Sequence, residues 1–135
     1  MKPEPSADSF VLDENLSQAL AQALQLLDDQ ATVRHITDFF DKGTEDTVFL
    51  PVLGRRGAFL ITRDTRQRKR PAELDAYRRH RVGAFILAGK SLQRWDLVKQ
   101  LVLAWPQIKD IAGKANRPFA YRVRAAAGRL EPLSL

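Results

Sequence analysis

The chain has 135 residues, of which 44% are apolar, with a net charge of +6 and no cysteine. This length suits a single domain that buries a core without cross-links, and the lack of cysteine excludes disulfides, thiolate zinc sites and cysteine nucleophiles. It also fits a reducing compartment, so the cytoplasm is the expected location. No apolar run approaches the ~20 residues of a membrane span, and no membrane association is expected.

Charge divides sharply along the chain. Residues 1–50 hold 3 basic and 10 acidic side chains, whereas residues 51–135 hold 19 basic and 6 acidic ones. Clustered arginine and lysine gain affinity for phosphates by releasing counterions. The division fits a polyanion-binding surface beside a cation site, although a solvated surface of uneven charge gives the same counts.

The first half of the chain alternates strand and helix patterns. Residues 1–8 have the composition of a flexible tail, and residues 9–135 are expected to form one domain. A strand is predicted at residues 10–12, followed by a helix whose apolar residues recur from Leu16 to Leu27, with Asn15 as candidate N-cap. Further predicted elements are a strand at 31–36, a short helix at 48–53 closed by Gly54, and a strand at 57–61.

The second half continues the alternation. Pro71 fits the first turn of a helix that reaches about residue 80, and residues 82–87 form an apolar strand. Ser91 is the candidate N-cap of a long helix, which Pro106 either kinks or interrupts. Residues 119–123 alternate as a strand does, and Gly128 is expected in a turn toward Leu130. Helices between strands imply βαβ units, so the predicted fold is an α/β three-layer sandwich around a central, mostly parallel sheet.

Three aspartates mark the boundaries of apolar runs. Asp13 and Asp64 follow predicted strands, and ligands of parallel sheets gather beyond the carboxyl ends of the strands, so both are expected to face one crevice. Asp46 lies near a helix N-terminus, where it either projects into that crevice or only complements the helix dipole. Beside Asp64 the sequence offers basic groups for phosphate, namely Arg63, Arg66, Arg68, Lys69 and Arg70.

These segments resemble a known family. The runs FVLDEN at 10–15, GTEDTVFL at 43–50 and LITRD at 60–64 are similar to the metal-binding segments of PIN-like ribonucleases, in particular the short branch that includes VapC-type toxins of bacterial toxin–antitoxin pairs. The likeness covers about residues 9–124. It implies a compact α/β sandwich that binds Mg²⁺ or Mn²⁺ through carboxylates and cleaves RNA by hydrolysis of phosphodiester bonds.

The resemblance also assigns roles. By position, Asp13, Asp46 and Asp64 become the metal-binding and catalytic residues, with Glu14 or Glu45 as possible auxiliary ligands. Relatives commonly have a fourth acid, which the sequence does not place, because Glu73 and Asp75 lie beyond the basic run. The expected partners are an RNA substrate and a cognate antitoxin protein, and the helix that carries Trp95 offers a surface for a homodimer.

Two alternatives remain open from the sequence. In a receiver-like domain, Asp64 would accept a phosphoryl group and Lys90 would contact it; the basic run after Asp64 fits that role poorly. A catalytically inactive PIN relative would only bind RNA or a protein.

Several other residues have simpler structural explanations. Thr62 and Asn15 are expected either to orient metal ligands or only to terminate a strand and cap a helix. Two histidines, His35 and His80, are expected to be surface or structural groups. Core or dimer contacts are expected for Trp95 and Trp105, whereas Phe39 and Phe40 either bind a partner or fold back onto the core.

Overall fold

The computed structural model describes residues 2–64, 71–89, 93–125 and 129–135. Strands and helices alternate along this part of the chain, and a 3-10 turn at Ile36–Asp38 follows the second strand. The elements are β1 Phe10–Leu12, α1 Gln18–Leu27, β2 Val33–His35, α2 Asp46–Arg56, β3 Phe59–Asp64, α3 Pro71–Arg79, β4 Gly83–Ala88, α4 Arg94–Lys114, β5 Phe119–Val123 and β6 Leu130–Leu133.

The strands form one sheet in the order β2-β1-β3-β4-β5-β6. All neighbouring pairs are parallel except β5 and β6, which are antiparallel. This architecture confirms the predicted mostly parallel α/β sandwich. The sequence did not predict β6; it is an edge strand that includes Pro132, and a proline is tolerated there because one side of an edge strand needs no hydrogen-bonding partner.

Helices cover both faces of the sheet. On one face α1 and α4 pack over a core that includes Phe85, and on the other α2 and α3 pack over a second core that includes Leu60. Successive strand residues point to opposite faces, so Phe59 and Ile61 of β3 belong to the α1/α4 core while Leu60 between them belongs to the α2/α3 core. The same alternation decides where the polar residues at the strand ends point.

Two predicted helix boundaries are wrong for reasons that lie in tertiary structure. The N-cap of α1 is Ser17, whose hydroxyl accepts a hydrogen bond from the amide of Leu20 at 3.1 Å, and not Asn15. Helix α2 does not end at Gly54 but continues to Arg56, and Gly57 terminates it with a left-handed φ of 74°. Gly54 lies inside the helix, where a Cβ would be 1.8 Å from the carbonyl oxygen of His80.

Helix α4 begins at Arg94 with Gln93 as N-cap and continues through Pro106, while the predicted cap Ser91 lies outside the described residues, as does Gly128.

The two tryptophans of α4 differ in burial. Trp105 is in the core and its indole N–H donates to Asp28 at 2.8 Å, as does the Lys109 ammonium. Trp95 is 75% exposed and is therefore not a core residue.

Other side chains resolve the remaining alternatives. The rings of Phe39 and Phe40 pack against the α2/α3 core, with Phe40 6.1 Å from the ring of Phe49, so these phenylalanines fold back on the domain. His35 is buried and its ring nitrogens lie 2.8 Å from the Leu16 carbonyl oxygen and 2.7 Å from the Thr37 hydroxyl, which makes it a structural group.

The N-terminal segment lies along α2. Glu4 pairs with Arg55 at 2.9 Å, the carbonyl of Pro5 accepts from Arg56 at 3.0 Å, and the amide of Asp8 donates to Gly57 at 2.8 Å. The flexibility of residues 1–8 and the domain boundary at residue 9 stay predictions. Among the described residues, the helices are too short or too polar to cross a membrane.

Candidate functional site

The order of the strands creates a crevice between β1 and β3. The chain leaves β1 for β2 on one side and returns to β3 on the other side, so the connections diverge at this point. Ligands of open α/β sheets bind at such a switch point, beyond the carboxyl ends of the strands. Asp13 immediately follows β1 and Asp64 is the last residue of β3. Because Leu12 pairs with Ile61, Asp13 lies beside Thr62, two residues before Asp64.

Asp13 is held by a small polar network. The hydroxyl of Thr62 donates to the Asp13 carboxylate at 2.7 Å, and the amide of Glu14 donates to its other oxygen at 2.7 Å. The side-chain amide of Asn15 lies between the strand ends, donating to the carbonyl of Arg63 at 2.8 Å and to the Thr62 hydroxyl at 3.3 Å. Thr62 and Asn15 thus join the end of β1 to β3, and Thr62 fixes the Asp13 carboxylate directly. This corresponds to the first of the two roles expected for them, the orientation of a metal ligand.

Three polar side chains, those of Thr62, Asp64 and Asp13, lie on the α2/α3 face of the sheet. Thr62 and Asp64 share this face with Leu60, because alternate residues of β3 point the same way and Leu60 faces α2 and α3. Asp13 shares this face because it accepts the hydrogen bond from Thr62. Asp64 is 3% exposed and Asp13 is half-buried, so both residues are at least partly shielded from solvent within the crevice.

Asp46 approaches the crevice from α2. It occupies the first turn of that helix and is exposed, so it also complements the helix dipole. The loop before α2 is tied to the end of β1, because the Glu14 carboxylate accepts a hydrogen bond from the amide of Gly43 at 2.5 Å. Glu14 was expected as an auxiliary metal ligand, and here it fixes the loop that delivers Asp46. Glu45, the other auxiliary candidate, is the exposed N-cap residue of α2 and its side chain makes no capping bond.

The buried Tyr77 of α3 lies within the electrostatic influence of four acidic side chains. Burial raises the pKa of Tyr77 on α3, and the negative charges of Asp46, Glu73, Asp13 and Asp64 raise that pKa further. A carboxylate acts on a buried group in this way only from nearby. The three predicted aspartates and Glu73, which lies in the first turn of α3, are therefore all near enough to Tyr77 to raise its pKa.

Glu73 is the candidate for the fourth acid that the sequence left unplaced, because its charge acts on Tyr77 together with those of the three aspartates. Its neighbour Asp75 is engaged elsewhere, because it pairs with Arg78 and with Arg79, and the hydrogen bonds from these arginines lower the pKa of Asp75. Only the packing of α3 against the sheet distinguishes the two acids. In sequence the sole signal was that Glu73 and Tyr77 lie one helical turn apart.

The donor set has the chemistry of a hard-cation site. Carboxylate, hydroxyl and amide oxygens are the ligands that Mg²⁺ and Mn²⁺ prefer, and Mg²⁺ keeps several waters while binding only one or two carboxylates directly. Among the described residues, no three acidic or histidine side chains are close enough to form a ready-made metal cage. The cluster fits an ion bound by one or two carboxylates, with the other acids reaching it through water.

The predicted phosphate-binding groups divide in two. Arg63 points away from the acidic cluster to the α1/α4 face, where it lines a cavity together with Leu16 and Leu97. The other four, namely Arg66, Arg68, Lys69 and Arg70, lie outside the described residues, as does Lys90. The sequence missed Arg94, which shares the cavity with Arg63.

Comparison with known proteins identifies the family. The family model described as PIN-like domain matches residues 9–89, a span that holds β1 to β4 and all four acids of the cluster. No match was found among curated proteins or among solved structures. Because the match covers more than half of the chain and the sheet carries its acids at the switch point, the chain belongs to the PIN-like domain family.

Proposed function

We propose that this protein is a metal-dependent endoribonuclease that hydrolyses RNA phosphodiester bonds at the acidic cluster. The observation that carries the proposal is the position of Asp13 and Asp64 at the carboxyl ends of the neighbouring strands β1 and β3, at the switch point of the sheet. Asp46 and Glu73 lie near enough to raise the pKa of Tyr77 together with them. Acids grouped in this way repel one another, and the cost is offset when a divalent cation binds between them. Membership of the PIN-like family supports nuclease chemistry.

The chain's own residues would hold the cation in a defined way. Asp13 and Asp64 would bind Mg²⁺ or Mn²⁺ directly, and Asp46 and Glu73 would bind the same ion or its waters. When bound, such an ion lowers the pKa of a coordinated water and neutralises charge on the scissile phosphate. Thr62 would keep the Asp13 carboxylate in the orientation that binding requires, because its hydroxyl donates to that group at 2.7 Å.

A substrate strand would also need positive charge around this acidic pocket. Residues 51–135 carry 19 basic side chains against 6 acidic ones. We assign Arg63, Arg66, Arg68, Lys69 and Arg70 to contacts with flanking phosphates, since arginine matches phosphate geometry with paired N–H donors.

The resemblance to VapC-type toxins supports a biological role as the toxin of a bacterial toxin–antitoxin pair, acting in the cytoplasm. An antitoxin protein would then cover the acidic cluster. Trp95, which is 75% exposed on α4, is our candidate for a homodimer contact; the same helix also exposes Leu103. The family match favours the nuclease over a receiver-like phosphoacceptor; an inactive PIN relative is the second candidate that the experiment must separate.

The direct test is cleavage of a panel of structured and single-stranded RNAs with Mg²⁺ or Mn²⁺. We expect Asp13→Asn and Asp64→Asn each to lower the cleavage rate by about 10²-fold or more, because each removes a carboxylate that holds the ion. Asp75→Asn is the matched control: it removes an acid from α3 that pairs with arginines, and we expect less than about a twofold change.

Two further measurements complete the test. Calorimetry should detect Mg²⁺ or Mn²⁺ uptake by the wild-type protein and weaker uptake by Asp64→Asn, and induced expression of the wild type, but not of Asp13→Asn, should arrest growth. RNA binding without metal-dependent cleavage would identify an inactive relative, and an acyl phosphate at Asp64 would identify a receiver. Cleavage that survives both aspartate substitutions would refute the proposed site.

A further inference from the structure

A second polar feature lies at the same end of the sheet as the acidic cluster, on the opposite face. It is a cavity of about 210 Å³ between the starts of α1 and α4. Its polar lining consists of Asn15, Ser17, Arg63 and Arg94, and its apolar lining includes Leu16 and Leu97. The cavity therefore combines two guanidinium groups with hydrogen-bonding side chains on a rigid apolar base.

Arg94 is available to a ligand. It is the first residue of α4 and is exposed, and its guanidinium makes no hydrogen bond or ion pair with any part of the chain that the structure describes. Asp96, the acid of the same helical turn, is directed to the N-cap, where its carboxylate accepts from the amide of Gln93 at 3.2 Å. No acidic side chain lines the cavity among the described residues.

The backbone adds to this positive potential. Helix α1 begins after Ser17 and α4 begins at Arg94, so two helix N-termini, each with the positive end of its dipole, lie at the cavity wall. Together with the two arginines they favour an anion that accepts several hydrogen bonds at once. A tetrahedral phosphate has this chemistry, and guanidinium groups match it with paired donors.

The cavity and the acidic cluster are connected through the residues of β3 and through Asn15. Arg63 lies in β3 between Thr62 and Asp64, so its side chain points to one face while theirs point to the other. Asn15 joins the two sites: it lines the cavity, bonds the backbone of Arg63 on both sides, and donates to the Thr62 hydroxyl that fixes Asp13.

We propose that this Arg63–Arg94 cavity binds a phosphate group of the nucleic-acid strand whose neighbouring phosphodiester is cleaved at the acidic cluster. This inference rests on the proposed nuclease function, since it needs a strand that passes the cluster. The cavity positions the strand across the end of the sheet and compensates the repulsion between its phosphates and the four acids. The phosphate is either an internal one or a 5′-terminal one, which have the same chemistry.

The experiment measures binding apart from cleavage. In an Asp13→Asn background with Mg²⁺, a short fluorescein-labelled single-stranded RNA is titrated at several salt concentrations and its anisotropy is followed. We expect Arg94→Ala to weaken binding by about 3- to 10-fold at low salt and to reduce the salt dependence by about one counterion. Arg94→Lys, which keeps the charge, should lose less. Arg63→Ala should resemble Arg94→Ala.

Lys99→Ala is the matched control, because it removes one exposed positive charge from α4 outside the cavity. We expect its affinity to stay within about twofold of the parent. Comparing RNA with a 5′-phosphate and with a 5′-hydroxyl distinguishes the sources: equal loss in Arg94→Ala indicates an internal phosphate, and loss confined to the phosphorylated RNA indicates the terminal one. Inorganic phosphate should compete with RNA in the parent and not in Arg94→Ala.

The outcomes separate this inference from the proposed activity. If Arg94→Ala and Lys99→Ala bind RNA equally well, the cavity is not a phosphate site, even where the wild type cleaves RNA. If Arg94→Ala loses affinity but the wild type shows no metal-dependent cleavage, the cavity is a nucleic-acid site on a protein that is not a nuclease under these conditions. Circular dichroism of each variant confirms that the fold is retained.

Discussion

The two ends of the sheet use charged side chains in opposite ways. At the amino end, Arg117 donates to the carbonyl oxygens of Gly57 and Ala58, and its guanidinium lies 4.1 Å from the ring centre of Phe59. Its charged group is therefore bound by the protein's own backbone and by an aromatic ring. Desolvation lowers the pKa of Arg117, and the negative charge of Asp8 offsets part of that effect. At the carboxyl end, Asp13 and Asp64 lie at the ends of neighbouring strands, and their negative charges add to those of Asp46 and Glu73 in raising the pKa of Tyr77.

This contrast separates stability from function. An arginine that is already bonded to the backbone is not available to a ligand. Like charges near one another reduce the stability of the fold, and such arrangements are typical of functional sites. We therefore expect substitutions at the amino end to change the free energy of unfolding, and substitutions at the carboxyl end to change activity in a protein that remains folded.

The largest effect is expected from Gly54→Ala near the amino end. A Cβ at this position would lie 1.8 Å from the carbonyl oxygen of His80, so α2 must move away from the end of α3. We expect a loss of about 3 kcal/mol in the free energy of unfolding, measured by chemical denaturation. Activity per folded molecule should not change.

Gly113→Ala controls for the intrinsic preference of helices for alanine. Gly113 lies in the last turn of α4 and nothing is within 4 Å of its Cβ position, so this variant should be as stable as the wild type or more stable by up to about 1 kcal/mol. Equal stability of Gly54→Ala and Gly113→Ala would mean that the α2–α3 contact is not the constraint that we describe.

A smaller effect, on activity alone, is expected from Thr62→Val. The substitution keeps the volume of this fully buried side chain but removes the hydroxyl that donates to Asp13 and accepts from Asn15. Loss of a group that orients a metal ligand typically costs 10- to 100-fold, so we expect metal affinity and cleavage to fall by about tenfold or more. Thr62→Ser, which retains the hydroxyl, should recover most of the loss.

The measurement is the calorimetric affinity for Mn²⁺ together with the initial rate of RNA cleavage. A role limited to stability predicts that valine and serine variants differ only in their melting temperatures. Unchanged metal affinity in Thr62→Val would therefore remove Thr62 from the site and leave it as a strand residue.

Much of this arrangement was predictable from sequence because local patterns determine it. Apolar runs located the first five strands, and an aspartate after such a run is expected at the carboxyl end of the sheet, so the positions of Asp13 and Asp64 were predictable. The position of Asp46 near the start of a helix was predictable as well.

The misassigned residues depend on contacts that are distant in sequence. Asn15 and Ser17 are both good helix caps, and Asn15 is excluded from that role because its amide bonds Arg63, 48 residues away. A glycine often ends a helix, but Gly54 lies within α2, where only glycine leaves room for the carbonyl oxygen of His80. The positions on which the proposed roles of Glu73 and Arg94 depend arise only when α3 and α4 pack on the sheet, which composition and periodicity do not encode.

The smallest effect is expected from Glu14→Ala, which tests whether Glu14 is a ligand or a tether. Its carboxylate accepts from the amide of Gly43, while the same loop is also held by the Thr44 amide and hydroxyl, which donate to the carbonyl of Asp41 at 3.1 and 2.6 Å. Because the loop keeps these bonds, Asp46 should be displaced only slightly, and we expect cleavage to fall by about threefold.

Glu45→Gln is the control for this substitution, since Glu45 is an exposed acid beside Asp46 whose side chain makes no capping bond. It should cleave RNA as the wild type does, and Glu14→Ala should bind Mn²⁺ with nearly wild-type affinity. A ligand behaves differently: its removal would weaken Mn²⁺ binding as strongly as Asp13→Asn does. Such a result would mean that Glu14 is a metal ligand and not a tether of the loop. The acidic cluster would then include the residue after Asp13 at the end of β1.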